Sequence, residues 1–207
     1  MLYLIGGAPR CGKTKLAKKI SRKLSIPVFS TDELRLYVRD RTPRDEVDGK
    51  FPFEAMFDGD QVDRCFERYA PKDFLMADKR EARTLFKAVR SFLEDKIRKK
   101  DDYIIEGVHL LPRYVGKILL PKKEFRAVYL VKTDEGSILD GLKRNNDKKD
   151  WILGHIHKKR TLDRAAAMVG VYGRYFTKEA KKFGFRLINT EDCFYHKIDE
   201  AGSYLMD

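Results

Sequence analysis

The chain has 207 residues, 43% of them hydrophobic, with 44 Lys and Arg against 32 Asp and Glu, a formal charge of +12. That length fits one domain with room for a modest insertion, and the apolar share allows a real core. No apolar run approaches the ~20 residues of a membrane-spanning helix. The excess charge admits anionic partners, including phosphorylated metabolites, nucleotides and nucleic acid, though lysines spread along the chain also serve as ordinary solvated surface.

In chain order, Leu2–Ile5 is a short apolar run ending in glycine. It is too short and lacks the basic flank of a signal peptide, so it reads as a buried strand. Residues 13–24 then place Leu16, Ala17, Ile20 and Leu24 at helical spacing. Ile26–Ser30 is a second strand candidate. A long middle region follows, with helical patterns over 61–69 and 73–99. Tyr103–Glu106, Arg126–Val131 and Phe185–Asn189 are three further short apolar runs. Helices are expected from Ser137 onward and over 162–183. Short Ile-, Val- and Leu-rich runs separated by helical stretches predict an α/β fold with a five-stranded parallel sheet flanked by helices. One domain spans 1–207, with an acceptor-side helical insertion over 41–80 and a short basic lid over 143–160. Cys11, Cys65 and Cys193 are far apart and form no CxxC. That argues against a disulfide framework or zinc knuckle and for a reduced, cytoplasmic, soluble protein.

Gly7-Ala8-Pro9-Arg10-Cys11-Gly12-Lys13-Thr14 fits G-x-x-x-x-G-K-[ST], the phosphate loop of a P-loop NTPase, between a strand and an amphipathic helix. Gly7 and Gly12 let backbone amides approach phosphate oxygens. Lys13 serves the β- and γ-phosphates, and the Thr14 hydroxyl serves Mg²⁺. Lys15 follows at the start of the helix, whose N-terminus favours anions. ATP and Mg²⁺ are therefore the expected cofactors, and Cys11 reads as a spacer in the loop.

Ligands in open parallel sheets bind beyond the carboxyl ends of the strands. Asp32 lies two residues past the second run and Glu106 ends the third. If both strands neighbour the first, the two carboxylates flank the γ-phosphate. One then serves the metal, a role the place of Glu106 before glycine favours, and the other takes the proton of an attacking hydroxyl, though the residues alone do not settle which is the base. Ser30 and Glu33 have capping-box spacing, so Asp32 also suits a helix N-terminus. Asp32, Arg35 and His109 are candidate acceptor contacts. Arg144 and Arg160 bracket the basic segment and are candidate transition-state cations on a lid. Phe51, Phe53 and Phe57 among basic residues suit either a nucleobase platform or the core of an acceptor subdomain.

The phosphate loop, Ser30-Thr31-Asp32, Ile104-Ile105-Glu106-Gly107-Val108-His109-Leu110 and the stretch from Tyr172 into RLINTED together resemble the kinase domain of 2-phosphoglycerate kinases. That resemblance implies an adenylate-kinase-like core, ATP with Mg²⁺, and phosphorylation of a small phosphorylated hydroxy acid. Three function classes follow. The first is a phosphotransferase acting on a hydroxyl of a small anionic metabolite. The second is a kinase of nucleotides or polynucleotide 5′-hydroxyls, and the third a nucleotide-dependent switch without an acceptor.

Overall fold

A computed structural model describes residues 1–57, 62–119, 124–144 and 153–207. Its centre is one sheet of β1 (Leu2–Gly7), β2 (Val28–Ser30), β3 (Tyr103–Glu106), β4 (Phe125–Val131) and β5 (Arg186–Asn189). The strand order is β2-β3-β1-β4-β5, and every pairing is parallel. Parallel strands need crossovers, and here helices supply them: α1 (Lys13–Leu24), α2 (Thr31–Arg39), α3 (Arg44–Lys50), α4 (Pro52–Met56), α5 (Val62–Arg68), α6 (Pro71–Lys99), α7 (Pro112–Leu119), α8 (Glu135–Arg144), α9 (Lys159–Lys182) and α10 (Phe194–Met206).

Both faces of the sheet are covered, which is why its central strands read as apolar runs instead of alternating. Leu2, Leu4, Ile105 and Ala127 share a cluster with Leu85, Val89 and Leu93 of α6. Ile5, Ile104, Val128 and Leu130 share the other with Leu16, Ala17 and Ile20 of α1 and Ile198 and Leu205 of α10. The five strands expected from sequence are the five observed. The second starts at Val28, after Pro27, which has no N–H to give the ladder although its carbonyl accepts from Ile104 N–H (3.0 Å).

One geometric expectation is corrected. β3 neighbours β1, but β2 pairs with β3, so Asp32 stands one strand further from the phosphate loop than Glu106. In the middle region the helix expected over 73–99 is present and runs on past the end of the 41–80 segment. It is a single 29-residue helix, α6, started by Pro71 and by Asp73 Oδ2 accepting from Ala70 N–H (2.8 Å). Phe51 is wholly buried, and Phe57, Phe66 and Phe74 pack ring against ring at 4.8–6.2 Å. α3, α4, α7 and α10 were not legible as helices: the first two are short and bury no residue on a clear stripe. Among the described residues no helix is long and apolar enough to cross a membrane.

Candidate active site

Between β1 and α1 the backbone turns through residues 7–12. Gly7 has φ +125°, and a Cβ there would lie 2.0 Å from the Leu130 carbonyl oxygen, so the loop can leave the sheet only through glycine. Gly12 (φ +95°) is the N-cap of α1 and offers no capping side chain, and the first turn holds no acid. The opening amides of α1 are thereby left to an anion, whereas α2 is closed by Ser30 Oγ accepting from Asp32 N–H (3.2 Å). Lys13 folds back over the loop and donates to the Ala8 carbonyl (2.8 Å). Cys11 is buried, its thiol pushed up to about 11 by burial, and Thr190 Oγ1 donates to the Cys11 carbonyl (3.1 Å), tying the loop to the end of β5. The spacer reading of Cys11 suits this packing.

Beside the loop, Thr14 Oγ1 donates to Glu106 Oε1 (3.1 Å). Glu106 is buried at the end of β3, and burial raises its carboxyl pKa, with Lys13 opposing and nearby Asp32 adding to the rise. The Glu106 carboxylate and the Thr14 hydroxyl together offer oxygen donors of the kind a hard cation takes, with the Lys13 ammonium nearby.

A cavity of about 620 Å³ opens beyond these strand ends. Pro9, Arg10, Lys13 and Thr14 form one wall, with Glu106 beside them. Asp32, Arg35, Phe53, Glu54, Phe57, Asp78, Val108, His109 and Met168 form the rest. The Asp32 side chain is 65% exposed, consistent with a group that faces a ligand and not a core. His109 is buried; its Nδ1 lies 3.1 Å from Thr31 Oγ1 and 3.5 Å from Asp32 Oδ1. Its Nε2 faces Glu81 Oε2 (3.8 Å) and Asp78 Oδ1 (3.9 Å). Burial pushes the Asp78 carboxyl up to about 6, against the pull of His109 and of a hydrogen bond from Tyr172. Arg35 Nη1 stands 3.7 Å from both Glu54 and Glu81.

The structure thus brings Lys13, Thr14, Glu106, Asp32, Arg35 and His109 to one cavity. Lys15 points away, its Nζ over the Tyr195 ring (4.6 Å). Arg144 and Arg160 do not line the cavity: Arg144 is exposed and donates to the Asp140 carbonyl (3.2 Å), and Arg160 is exposed in the first turn of α9. Most of the lid segment between them, 145–152, lies outside the described residues. Thr31, Asp78 and Glu81 were missed. Their signal was present in part, since Asp78 and Glu81 sit three apart on α6 among Phe74, Leu75, Ala82 and Leu85, where an acid is out of place.

No family model matches the chain. It is 23% identical over 193 residues to a 2-phosphoglycerate kinase of Methanothermobacter thermautotrophicus. That match covers 93% of this chain and 61% of the relative, so the chain spans about three fifths of the relative's length. The structure matches that of a shikimate kinase from Bacteroides thetaiotaomicron with a TM-score of 0.53 at 15% identity, covering 100% of this chain and 96% of that one. The fold is that of a P-loop kinase. The five-stranded parallel sheet and flanking helices expected from the sequence are those of this P-loop fold, and the likeness to 2-phosphoglycerate kinases runs over most of the chain.

Proposed function

We propose that the chain is an ATP- and Mg²⁺-dependent phosphotransferase that moves a γ-phosphoryl group to the hydroxyl of a small metabolite. A phosphorylated hydroxy acid such as 2-phosphoglycerate is the first candidate. One observation carries this reading: the phosphate loop and the exposed carboxylate of Asp32 face the same cavity of about 620 Å³. A switch without an acceptor has no use for that second half. The name of the curated relative supplies the candidate acceptor, and the chain's charge of +12 favours an anion.

In this reading the loop amides and Lys13 hold the β- and γ-phosphates, and Thr14 with Glu106 holds Mg²⁺, which neutralises charge on the phosphates when bound. Asp32 accepts the proton of the acceptor's hydroxyl while that hydroxyl's oxygen bonds to the γ-phosphorus and the bond from the γ-phosphorus to the bridging β-oxygen breaks, releasing ADP. Arg35 and His109 orient the acceptor. Arg144 and Arg160 are assigned to a lid that bears on transfer only if it closes. Three free thiols suit a reducing, cytoplasmic setting.

Phe53 and Phe57 on the cavity wall support a second reading, a nucleoside or polynucleotide 5′-hydroxyl as acceptor. The test is ADP release measured across phosphorylated hydroxy acids, nucleosides and 5′-hydroxyl oligonucleotides. Acceleration by a compact acid supports the first reading. Acceleration by an oligonucleotide, weakening steeply with salt, supports the second. Hydrolysis that no acceptor accelerates defeats both.

A further inference from the structure

The acceptor half of the cavity is acidic. Asp32, Glu54 and Asp78 line it, Glu81 lies directly behind, and among the described residues Arg35 and Arg39 are the cations paired with these acids, Arg39 through Glu54. Two carboxylates buried this close together are costly without a compensating cation. Arg35 compensates only partly, standing 3.7 Å from Glu81 and from Glu54 and within hydrogen-bond reach of neither.

Asp78, Glu81 and His109 have a further property. Each has one donor atom fixed by a neighbour and the other turned inward. Glu81 Oε1 accepts from Phe53 N–H (2.8 Å), leaving Oε2. Asp78 Oδ2 accepts from Tyr172 O–H (2.5 Å), leaving Oδ1. His109 Nδ1 is engaged by Thr31 Oγ1 (3.1 Å), leaving Nε2. The three remaining atoms lie within 4.8 Å of one another. Glu81 Oε2 and His109 Nε2 are buried without a hydrogen-bond partner, their side chains 0% and 2% exposed, and the nearest cation to Glu81 Oε2 is Arg35 Nη1 at the ion-pair distance of 3.7 Å. Orphaned buried polar atoms are rare, and two converging on one point call for a ligand between them.

We propose that Asp78 Oδ1, Glu81 Oε2 and His109 Nε2 bind a divalent first-row transition metal, distinct from the Mg²⁺ of the phosphate loop. The arrangement is the one metal sites use: a carboxylate–carboxylate–imidazole set whose outer atoms are held by a hydroxyl, a backbone amide and a phenol. Bonds of about 2.0–2.2 Å set donor atoms roughly 3.0–3.6 Å apart. The observed separations from His109 Nε2, 3.8 and 3.9 Å, would have to close by roughly 0.2–0.9 Å, and the set as a whole, spread within 4.8 Å, would draw together around the ion. The imidazole nitrogen favours Zn²⁺, Mn²⁺ or Fe²⁺ over Mg²⁺ and Ca²⁺, which prefer oxygen donors throughout. With three protein ligands, and with Asp78 and His109 on the cavity wall, coordination stays open toward the acceptor. Such an ion converts an acidic pocket into one that takes a carboxylate or phosphate. The binding site stands without the transferase reading, whereas its role in acceptor recognition rests on it.

The test uses the full, nucleotide-free chain, stripped with a chelator and titrated with Co²⁺ and Zn²⁺. One equivalent is expected, with visible Co²⁺ absorption, in wild type and in Thr14→Ala. Glu81→Gln and His109→Gln should each lose at least ~100-fold in affinity, and Tyr172→Phe about tenfold through the Asp78 carboxylate. Circular dichroism checks that the buried variants fold, and Tyr172→Phe, which removes one hydroxyl, serves if they do not. No saturable equivalent in wild type, or one that folded Glu81→Gln and Tyr172→Phe bind unchanged, overturns the site. In the kinetic arm, restoring the metal to stripped, Mg²⁺-supplied enzyme should lower the acceptor KM and spare that of ATP. A bound metal with an unmoved acceptor KM removes the acceptor role. A bound metal with no transfer to any acceptor defeats the transferase reading and leaves the site.

Discussion

The two walls of the cavity are built in opposite ways. The phosphate wall is a run of contiguous residues whose work is done by backbone: glycines that open the turn, uncapped amides, one lysine and one threonine. The acceptor wall is assembled from side chains on β2–α2, α4, α6, the end of β3 and α9, and it pairs some of their polar atoms while leaving Glu81 Oε2 and His109 Nε2 without a hydrogen bond. A backbone site tolerates little change at its glycines and is indifferent to remote sequence. A side-chain site shifts whenever one of several distant elements moves.

That contrast can be broken by substitution. The largest effect is expected from Lys13→Ala. Turnover should fall below about a thousandth, because a phosphate cation is lost. The melting temperature should hold within about 2 °C, since Lys13 donates only to the Ala8 carbonyl of its own loop. If folded protein keeps full activity, the phosphate wall is misassigned. Next comes Asp32→Asn, with kcat down on the order of 10²-fold and stability unchanged, as suits an exposed base. An unaltered rate would move the base elsewhere.

Gly7→Ala should act on stability first. A methyl group 2.0 Å from a backbone oxygen, at φ +125°, should cost about 3 kcal/mol, or on the order of 10 °C in a thermal melt. Arg144→Ala and Arg160→Ala should each change kcat by less than about tenfold, because both stand off the cavity wall. A loss on the order of 10²-fold would assign them to a closed state. The smallest effect is chemical. At pH 8, Cys193 should alkylate readily, while Cys11 and Cys65, whose thiols burial pushes up to about 11 and about 12, should react only on unfolding. Mass spectrometry of labelled peptides reads the difference.

The same contrast explains what could be read in advance. The sheet was legible because a doubly covered parallel strand writes itself as a short apolar run, as the central strands β1, β3 and β4 do, and the edge strands β2 and β5 keep enough apolar residues to follow suit. The phosphate loop was legible because its function lives in adjacent residues. Asp32, Arg35 and His109 could be nominated from their places after strands, yet their neighbours could not. Strand order decided that Glu106, and not Asp32, meets Thr14, and no local pattern encodes strand order. Asp78 and Glu81 were hidden inside an amphipathic helix because periodicity counts apolar positions and passes over the two acids among them. The lid arginines show the converse: a basic run after a helix is as compatible with solvent as with substrate.

Three consecutive residues at the start of α2 have three separate duties. Ser30 closes the helix, Thr31 holds the histidine ring and Asp32 faces the cavity. Successive positions on a helix point about 100° apart, so adding or deleting one residue here would turn every side chain to its neighbour's task. Each of the three side chains can be changed singly, but a change in the length of the β2–α2 junction displaces all three at once.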